Sequence, residues 1–225
     1  MEILIINPNT TASMTLSIAA AARAVASKGT EITVVNPDQG PASIQGPEDG
    51  AAALPGLFQV FEREMASPIR YDAVIIACFD DTGLMNLKAR SPVPVLGIGE
   101  AAFHAAMMLG ARFSVVTTLA VSVPVIEDNI ARYGFAARCA KVRASGVPVL
   151  QLDGSDREAE STIRGQAKSA VAQDGCDVIV LGCAGMAGLA ASMTRDFGLP
   201  VIDGVAAAVG FCESLALLSG AGGMA

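Results

Sequence analysis

The stretch "YDAVIIACFDD", from Tyr71 to Asp81, is followed 105 residues later by "CDVIVLGCAGM", from Cys176 to Met186. Each stretch contains an Asp, a run of mostly β-branched residues, and a cysteine where the apolar run ends. A shift of 105 residues places the one Asp on the other and Cys78 on Cys183. Short, continuous apolar runs are typical of strands buried on both faces of a parallel sheet. The repeat therefore predicts two related half-units, each with a strand that ends in a thiol.

Similar apolar runs recur along the whole chain and alternate with alanine-rich or amphipathic segments. The predicted strands are Ile3–Ile6, Ile32–Val35, Ala73–Ala77, Val93–Leu96, Phe113–Val116, Val178–Leu181 and Pro200–Ile202. The predicted helices include Met14–Ser27, Glu100–Leu109 and Arg157–Gln173, the last with Ser155 and Asp156 as candidate N-caps. Alternating strands and helices predict an α/β protein built on parallel sheets.

The repeat also predicts how the chain divides. We expect two pseudo-symmetric lobes, each a mostly parallel sheet flanked by helices, with the active site in the cleft between them. The first lobe would span residues 1–97 and be joined by a C-terminal helix over 205–225. The second lobe would span residues 98–204.

Composition excludes several classes of protein. Hydrophobic residues make up 52% of the chain and charged residues 16%, which excludes a disordered protein. The net charge of −7 and the absence of a basic cluster argue against a nucleic-acid partner, because little here would neutralise phosphates. The uncharged segment Val178–Thr194 is rich in Gly and Ala and is interpreted as strand plus helix, so no membrane partner is expected. The N-terminus lacks the features of a signal peptide.

The five cysteines are an odd number and include no CxxC pair, which indicates reduced thiols and a cytoplasmic protein. His104 is the sole histidine of the sequence, so no metal site is expected. A buried free cysteine is usually a small packing residue, and this interpretation is accepted for Cys139, Cys176 and Cys212. We expect a small-molecule substrate and a homo-oligomer.

Cys78 and Cys183 are interpreted as functional residues instead. Ligands of open α/β sheets bind beyond the carboxyl ends of the strands. Four polar loops would meet there, namely Asn7–Thr10, Cys78–Asp81, Thr117–Thr118 and Cys183–Met186. A helix after each cysteine would lower the pKa of the thiol. Two opposed thiols suit a racemase without a cofactor, in which one group removes a proton α to a carbonyl and the other returns one on the opposite face.

Two cofactor-dependent alternatives fit less well. The stretch "LGIGEAAFHAA" at Leu96–Ala106 matches the dinucleotide fingerprint G-x-G-x-x-A, but the next strand ends in threonines rather than in an acid. A pyridoxal phosphate enzyme would need a Schiff-base lysine. None of the four lysines ends a predicted strand; they are Lys28, Lys88, Lys141 and Lys168.

Four motifs together resemble the hydantoin racemase branch of the Asp/Glu racemase superfamily. They are "INPNT" at Ile6–Thr10, "ACFDD" at Ala77–Asp81, "VVTT" at Val115–Thr118 and "LGCAGM" at Leu181–Met186. The resemblance implies inversion at C5 of 5-monosubstituted hydantoins, or of allantoin, with Cys78 and Cys183 as the proton-transfer pair. It also implies a set of substrate-binding residues: Asn7, Ile44, Phe79, Asp80, Thr117, Thr118, Ala184 and Gly185.

Other functions stay open at this point. Glutamate racemases usually follow their cysteines with "CNT" and "CTH", whereas this chain has Cys78-Phe79-Asp80 and Cys183-Ala184-Gly185. The lack of those polar side chains favours a neutral ring over an amino acid. Maleate isomerases and malonate decarboxylases of the same superfamily also place cysteines at strand ends. A two-lobed protein that binds a small ligand without chemistry is the alternative outside enzymes.

Overall fold

The computed structural model describes residues 1–152 and 156–218. Two four-stranded sheets, in which every strand pair is parallel, form its framework. The strands are β1 (Glu2–Ile6), β2 (Glu31–Val35), β3 (Ala73–Ile76), β4 (Val95–Gly97), β5 (Phe113–Thr117), β6 (Cys139–Ala144), β7 (Val178–Gly182) and β8 (Val201–Asp203). The strand orders are β2-β1-β3-β4 and β6-β5-β7-β8, so β3 and β7 occupy the same place in the two sheets. The predicted fold class is confirmed.

Eight α-helices of the described residues surround these sheets. They are α1 (Ala12–Val25), α2 (Pro47–Met65), α3 (Leu84–Lys88), α4 (Ile98–Leu109), α5 (Val123–Arg132), α6 (Arg157–Gln173), α7 (Ala190–Phe197) and α8 (Gly204–Leu218). Short 3₁₀ helices cover Ala120–Ser122, Val149–Leu152 and Ala184–Leu189. Within the described ranges, no helix combines the length and apolarity needed to cross a membrane.

The sequence predicted an N-cap for α6 and a C-terminal helix that reaches residue 225. Asp156 caps α6, because its carboxylate accepts hydrogen bonds from the backbone N–H groups of Glu158 (2.9 Å) and Ala159 (3.2 Å). Ser155, the other candidate cap, lies outside the described residues, and so does the end of the expected C-terminal helix beyond Leu218.

The repeated Asp before each copied strand has a structural role. Asp72 accepts a hydrogen bond from the backbone N–H of Glu2 at 2.7 Å, and Asp177 accepts two from Ala111 and Arg112 at 2.9 and 2.7 Å. These backbone donors lower the pKa of Asp177. Both carboxylates therefore tie the starts of neighbouring strands together, at the edge of the sheet opposite the thiols.

An aromatic cluster connects the two lobes beneath the cleft. Phe103 of α4 is fully buried and packs edge-to-face on Phe79, with ring centroids 5.4 Å apart. Its other face stacks on Phe113 of β5 at 5.6 Å. Phe79 comes directly after Cys78, so the position of this thiol depends on packing that spans both sheets.

Candidate active site

A cavity of about 30 Å³ lies at the carboxyl ends of the strands, and both thiols line it. Its wall consists of Asn9, Met14, Ile44, Ala77, Cys78, Phe79, Asp80, Thr117, Thr118, Ser122, Val149, Gly182, Cys183 and Ala184. The turns after β3, β5 and β7 contribute most of these residues. A space of this size holds about two water molecules, so a larger ligand needs the walls to part.

Eight of the ten site residues expected from sequence line this cavity. They are Ile44, Cys78, Phe79, Asp80, Thr117, Thr118, Cys183 and Ala184. Asn7 and Gly185 are not part of the wall. The structure thus brings together residues that are up to 140 positions apart, from Ile44 to Ala184.

Asn7 lies behind the cavity rather than in it. Its side-chain amide is fully buried and donates to Asn9 Oδ1 and to Thr15 Oγ1, each at 3.0 Å. Asn9, which does line the cavity, is held further by its contact with Met14 Sδ at 3.7 Å. The sequence therefore indicated the loop that reaches the cavity; within it Asn9 lines the wall, and Asn7 supports Asn9 from behind.

Each thiol receives one backbone N–H from the turn that follows it. The amide of Asp80 points to Cys78, and the amide of Gly185 points to Cys183 in the equivalent place. Cys78 Sγ also lies 3.4 Å from Thr82 Oγ1. Gly185 thus contributes to the site through its backbone alone, and a side chain there would collide with Leu152.

The expected lowering of the thiol pKa values is wrong. Burial raises the pKa of Cys183 to about 11, and burial together with the Asp80 charge raises the pKa of Cys78. The α-helix after Cys78 is the five-residue α3, which begins only at Leu84. Loss of hydration therefore outweighs one backbone N–H per thiol. In the closed cavity both cysteines are thiols rather than thiolates near neutral pH.

Asp80 is the ionisable carboxyl in the cavity wall. Burial raises its pKa to about 6, against hydrogen bonds from the Ser122 hydroxyl (3.4 Å) and the backbone N–H of Gly46. Asn129 of α5 fixes the turn by donating to the Asp80 carbonyl oxygen at 2.8 Å. Near neutral pH this side chain is mainly a carboxylate, and it faces the same space as both thiols.

Asp81 explains why glycines occur at the positions that match the dinucleotide fingerprint. Its carboxylate accepts hydrogen bonds from the backbone N–H groups of Gly99 (3.0 Å) and Glu100 (2.8 Å) at the start of α4. A Cβ at Gly97 or Gly99 would collide with this carboxylate. The N-terminus of α4 therefore already holds a carboxyl group, supplied by the chain itself, where a dinucleotide would place its phosphates. Burial raises the pKa of this Asp81 carboxyl to about 7. The Tyr133 hydroxyl donates to the same carboxylate at 2.8 Å from the second lobe.

Six residues of the wall were not among the site residues expected from sequence, although Asn9 lies in a loop that was expected at the cleft. They are Asn9, Met14, Ala77, Ser122, Val149 and Gly182. Ala77 and Gly182 precede the two cysteines and could have been predicted from the repeat. Ser122 and Val149 lie in short 3₁₀ helices, for which the sequence carries no periodic signal.

The raised pKa values predict slow, strongly pH-dependent alkylation of both active-site thiols. Iodoacetamide reacts with the thiolate, so the rate at Cys183 rises about tenfold per pH unit from pH 7 to 10 without levelling off. We expect the alkylation rate at Cys78 to rise with pH in the same way. Mass spectrometry of the labelled peptides measures both rates. The control is a short cysteine-containing peptide, whose thiol has a pKa of about 8.5 and whose rate therefore levels off above about pH 9. A plateau below pH 9 at either cysteine would contradict the burial argument.

Two parallel α/β lobes with one cavity lined from both are typical of proteins that bind a small molecule between their lobes. Within this class, residues 3–212 of the chain match the family model described as Asp/Glu/Hydantoin racemase. The match covers nearly the whole chain, including both thiol turns.

Individual relatives agree with the family model. The chain is 44% identical to a hydantoin racemase of Rhizobium meliloti, over 96% of this chain and 88% of that one. Its structure superposes on the allantoin racemase from Klebsiella pneumoniae with a TM-score of 0.92 and 43% identity, covering 97% and 89% of the two chains. The allantoin racemase from Pseudomonas fluorescens gives a TM-score of 0.90 and 46% identity, over 97% and 92%. The chain therefore belongs to the Asp/Glu/hydantoin racemase family, and its reaction is a racemisation.

Proposed function

We propose that this protein racemises 5-monosubstituted hydantoins at C5 without a cofactor, with Cys78 and Cys183 as opposed acid and base. The observation that carries the proposal is the placement of two thiols, from equivalent strands of two lobes, in the wall of one cavity. The chemistry of the relatives supports the substrate class. Allantoin is itself a hydantoin with a ureido group at C5, and the similarity to two allantoin racemases keeps it as the close alternative.

The proposed reaction has two proton transfers. One cysteine, as its thiolate, removes the C5 proton from one face of the ring, and the negative charge that forms is shared with the C4 carbonyl oxygen. The other cysteine, as its thiol, gives a proton to the opposite face. Two groups in fixed positions on either side of one carbon need no movement of the ring. The Thr118 hydroxyl offers a donor in the wall for the charged oxygen, whereas the Thr117 hydroxyl already donates to the Gly182 carbonyl oxygen at 3.1 Å.

The raised thiol pKa values are compatible with this cycle. A thiolate that forms in a buried site is poorly hydrated and hence a stronger base toward carbon than one in water. The partner must keep its proton at the same moment, which a pKa of about 11 at Cys183 favours. Because both thiols must stay reduced, and all five cysteines are free, we also propose a reducing compartment such as the cytoplasm.

Loss of optical rotation tests the substrate class. Pure enantiomers of several 5-monosubstituted hydantoins, of allantoin, and of glutamate and aspartate are incubated with the protein at pH 7.5. The proposal expects rotation to decay with the hydantoins or with allantoin, and to persist with both amino acids. Decay with the amino acids alone would refute it. A protein-free sample of each hydantoin gives the spontaneous rate.

The absence of any cofactor is a separate prediction. Activity should survive dialysis against EDTA and treatment with hydroxylamine, since neither a metal nor a Schiff base takes part. Iodoacetamide at pH 9 should abolish it once Cys78 and Cys183 are alkylated. Circular dichroism confirms that the alkylated protein is folded. Loss of activity in EDTA, restored by a metal ion, would contradict the proposed mechanism.

The alternative outside enzymes, a two-lobed protein that binds a small ligand without chemistry, is not supported, because the family model and the relatives that match the chain are racemases. Such a protein would also have no use for thiols matched between the lobes.

A further inference from the structure

The Asp80 carboxylate is a charge in the cavity wall that acts on both thiols. It follows Cys78 by two residues and lines the same space as both thiols. Its charge acts on Cys78 and on Cys183 alike, although the two cysteines belong to different lobes. A ligand atom held between the thiols therefore lies within the field of this carboxylate.

The carboxylate has acceptor capacity to spare. Within the described residues its contacts are the Ser122 hydroxyl, at the long distance of 3.4 Å to Oδ2, and the backbone N–H of Gly46. A carboxylate offers about four acceptor positions. It is therefore able to accept a further hydrogen bond from a donor placed in the cavity.

Among the residues that the structure describes, no cation lines the cavity to balance this charge. None of the described residues that line the cavity is Lys, Arg or His. The residues outside the described ranges, 153–155 and 219–225, contain none of these residue types either. The ion pairs found in the described parts of the chain do not include Asp80. A second carboxylate brought into the cavity would meet an uncompensated like charge, which in a partly dehydrated site is strongly unfavourable.

We propose that the Asp80 carboxylate sets the substrate specificity of this site: it accepts a hydrogen bond from a ring N–H, and it excludes ligands that carry a carboxylate beside the reacting carbon. The inference rests on the proposed function and adds to it. A hydantoin has an N–H next to C5 and no charge, so it satisfies the open acceptor. An amino acid, or the ring-opened N-carbamoyl amino acid, has a carboxylate on the same carbon and is rejected.

A pair of unreactive ligands isolates this effect from chemistry. 5,5-Dimethylhydantoin and its ring-opened form, N-carbamoyl-2-methylalanine, share the carbon skeleton and the ureido N–H, but the second carries a carboxylate. Neither has a proton at the reacting carbon, so neither can be racemised. Isothermal titration calorimetry at pH 7.5, where Asp80 is ionised, gives a Kd for each, and the ratio of the two Kd values is the measure of specificity.

Asp80→Asn and Asp128→Asn form the matched pair of variants. Asp128 lies exposed on α5 outside the cavity, so its variant makes the same chemical change without touching the site. In the wild type and in Asp128→Asn we expect the anion to bind about 100-fold more weakly than the ring. In Asp80→Asn we expect the ring to bind about tenfold more weakly and the anion more tightly, so that the ratio falls at least tenfold.

The outcomes separate this inference from the proposed function. If Asp80→Asn weakens both ligands equally and leaves the ratio unchanged, Asp80 has a structural role and the inference is overturned. A wild type that binds the anion as well as the ring also overturns it. If the wild type racemises no hydantoin, the proposed function itself fails, whereas racemisation by a wild type whose ratio does not depend on Asp80 overturns only the specificity role.

Discussion

Replacing Cys78 by Ala stops racemisation of both enantiomers of a 5-substituted hydantoin, and replacing Cys183 by Ala does the same. Every turnover uses one thiol as base and the other as acid, so neither direction survives the loss of one of them. We expect kcat to fall by at least about 1000-fold in each variant, within the range known for general acid–base catalysis. Serine does not restore the rate, because its hydroxyl is too weak an acid and base near neutral pH.

Hydrogen exchange in D₂O distinguishes two mechanisms. In one, two bases act from opposite faces of the ring; in the other, a single base acts and the substrate turns over in the site. The thiol that remains in each variant still faces one enantiomer and exchanges its C5 hydrogen without inverting it. Cys78→Ala and Cys183→Ala should therefore label opposite enantiomers of the same hydantoin. Proton NMR follows the loss of the C5 signal, and chiral chromatography follows inversion.

Three controls accompany this experiment. Cys139→Ala, whose thiol lies in β6 outside the cavity, should racemise at the wild-type rate. A protein-free sample corrects for spontaneous exchange, and circular dichroism confirms the fold of each variant. Labelling of the same enantiomer by both active-site variants would show that Cys78 and Cys183 do not face opposite sides of the ring.

Phe103→Ala should lower the free energy of unfolding by about 4 kcal/mol. The ring is fully buried and stacks on Phe113, so truncation leaves a large cavity between the lobes. It also removes the edge-to-face support of Phe79 at 5.4 Å, directly beside Cys78. We therefore expect a loss of racemase activity of about tenfold at temperatures where the variant is folded. Urea unfolding followed by circular dichroism measures the stability.

Two further variants keep this prediction testable. Phe103→Leu preserves most of the volume and should cost about 1.5 kcal/mol, which gives a folded protein if the alanine variant is too unstable. Phe58→Ala on α2 removes a partly buried ring that packs under Arg90, at 4.6 Å from the guanidinium carbon, and should leave activity unchanged. If Phe58→Ala impairs racemisation as much as Phe103→Ala does, the aromatic cluster has no special role beneath Cys78.

Features that depend on the order of the strands and on the internal repeat could be predicted from the sequence. Apolar runs that end in polar turns identified seven of the eight strands, and equivalent strands in two half-units brought Cys78 and Cys183 together. The missing strand, β6, lies at the edge of its sheet. It reads "CAKVRA", with Val142 as its buried residue, so it has neither a continuous apolar run nor a clear alternation.

Features that depend on distances across the cleft could not be predicted from sequence. The choice between Asn7 and Asn9 depends on which side chain the turn directs into the cavity, and both are polar residues of one loop. The direction of the thiol pKa shifts depends on how completely the lobes exclude water, which no local motif specifies. Asp81 was included in the cysteine motif, yet its role at α4 required a contact with residues 18 and 19 positions away.

The two thiols are equivalent in the repeat but unequal in their surroundings. Each thiol has one backbone amide, but Cys78 also has the Thr82 hydroxyl at 3.4 Å and the charges of both Asp80 and Asp81. Cys183 has only the Asp80 charge among these. Mirror-image substrates have the same free energy in water, so the equilibrium constant of the reaction is one. The Haldane relation then requires kcat/KM to be identical for both enantiomers, whatever the surroundings of each thiol. Any inequality between Cys78 and Cys183 must therefore appear as paired changes, with the enantiomer that binds more tightly turning over more slowly in the same proportion.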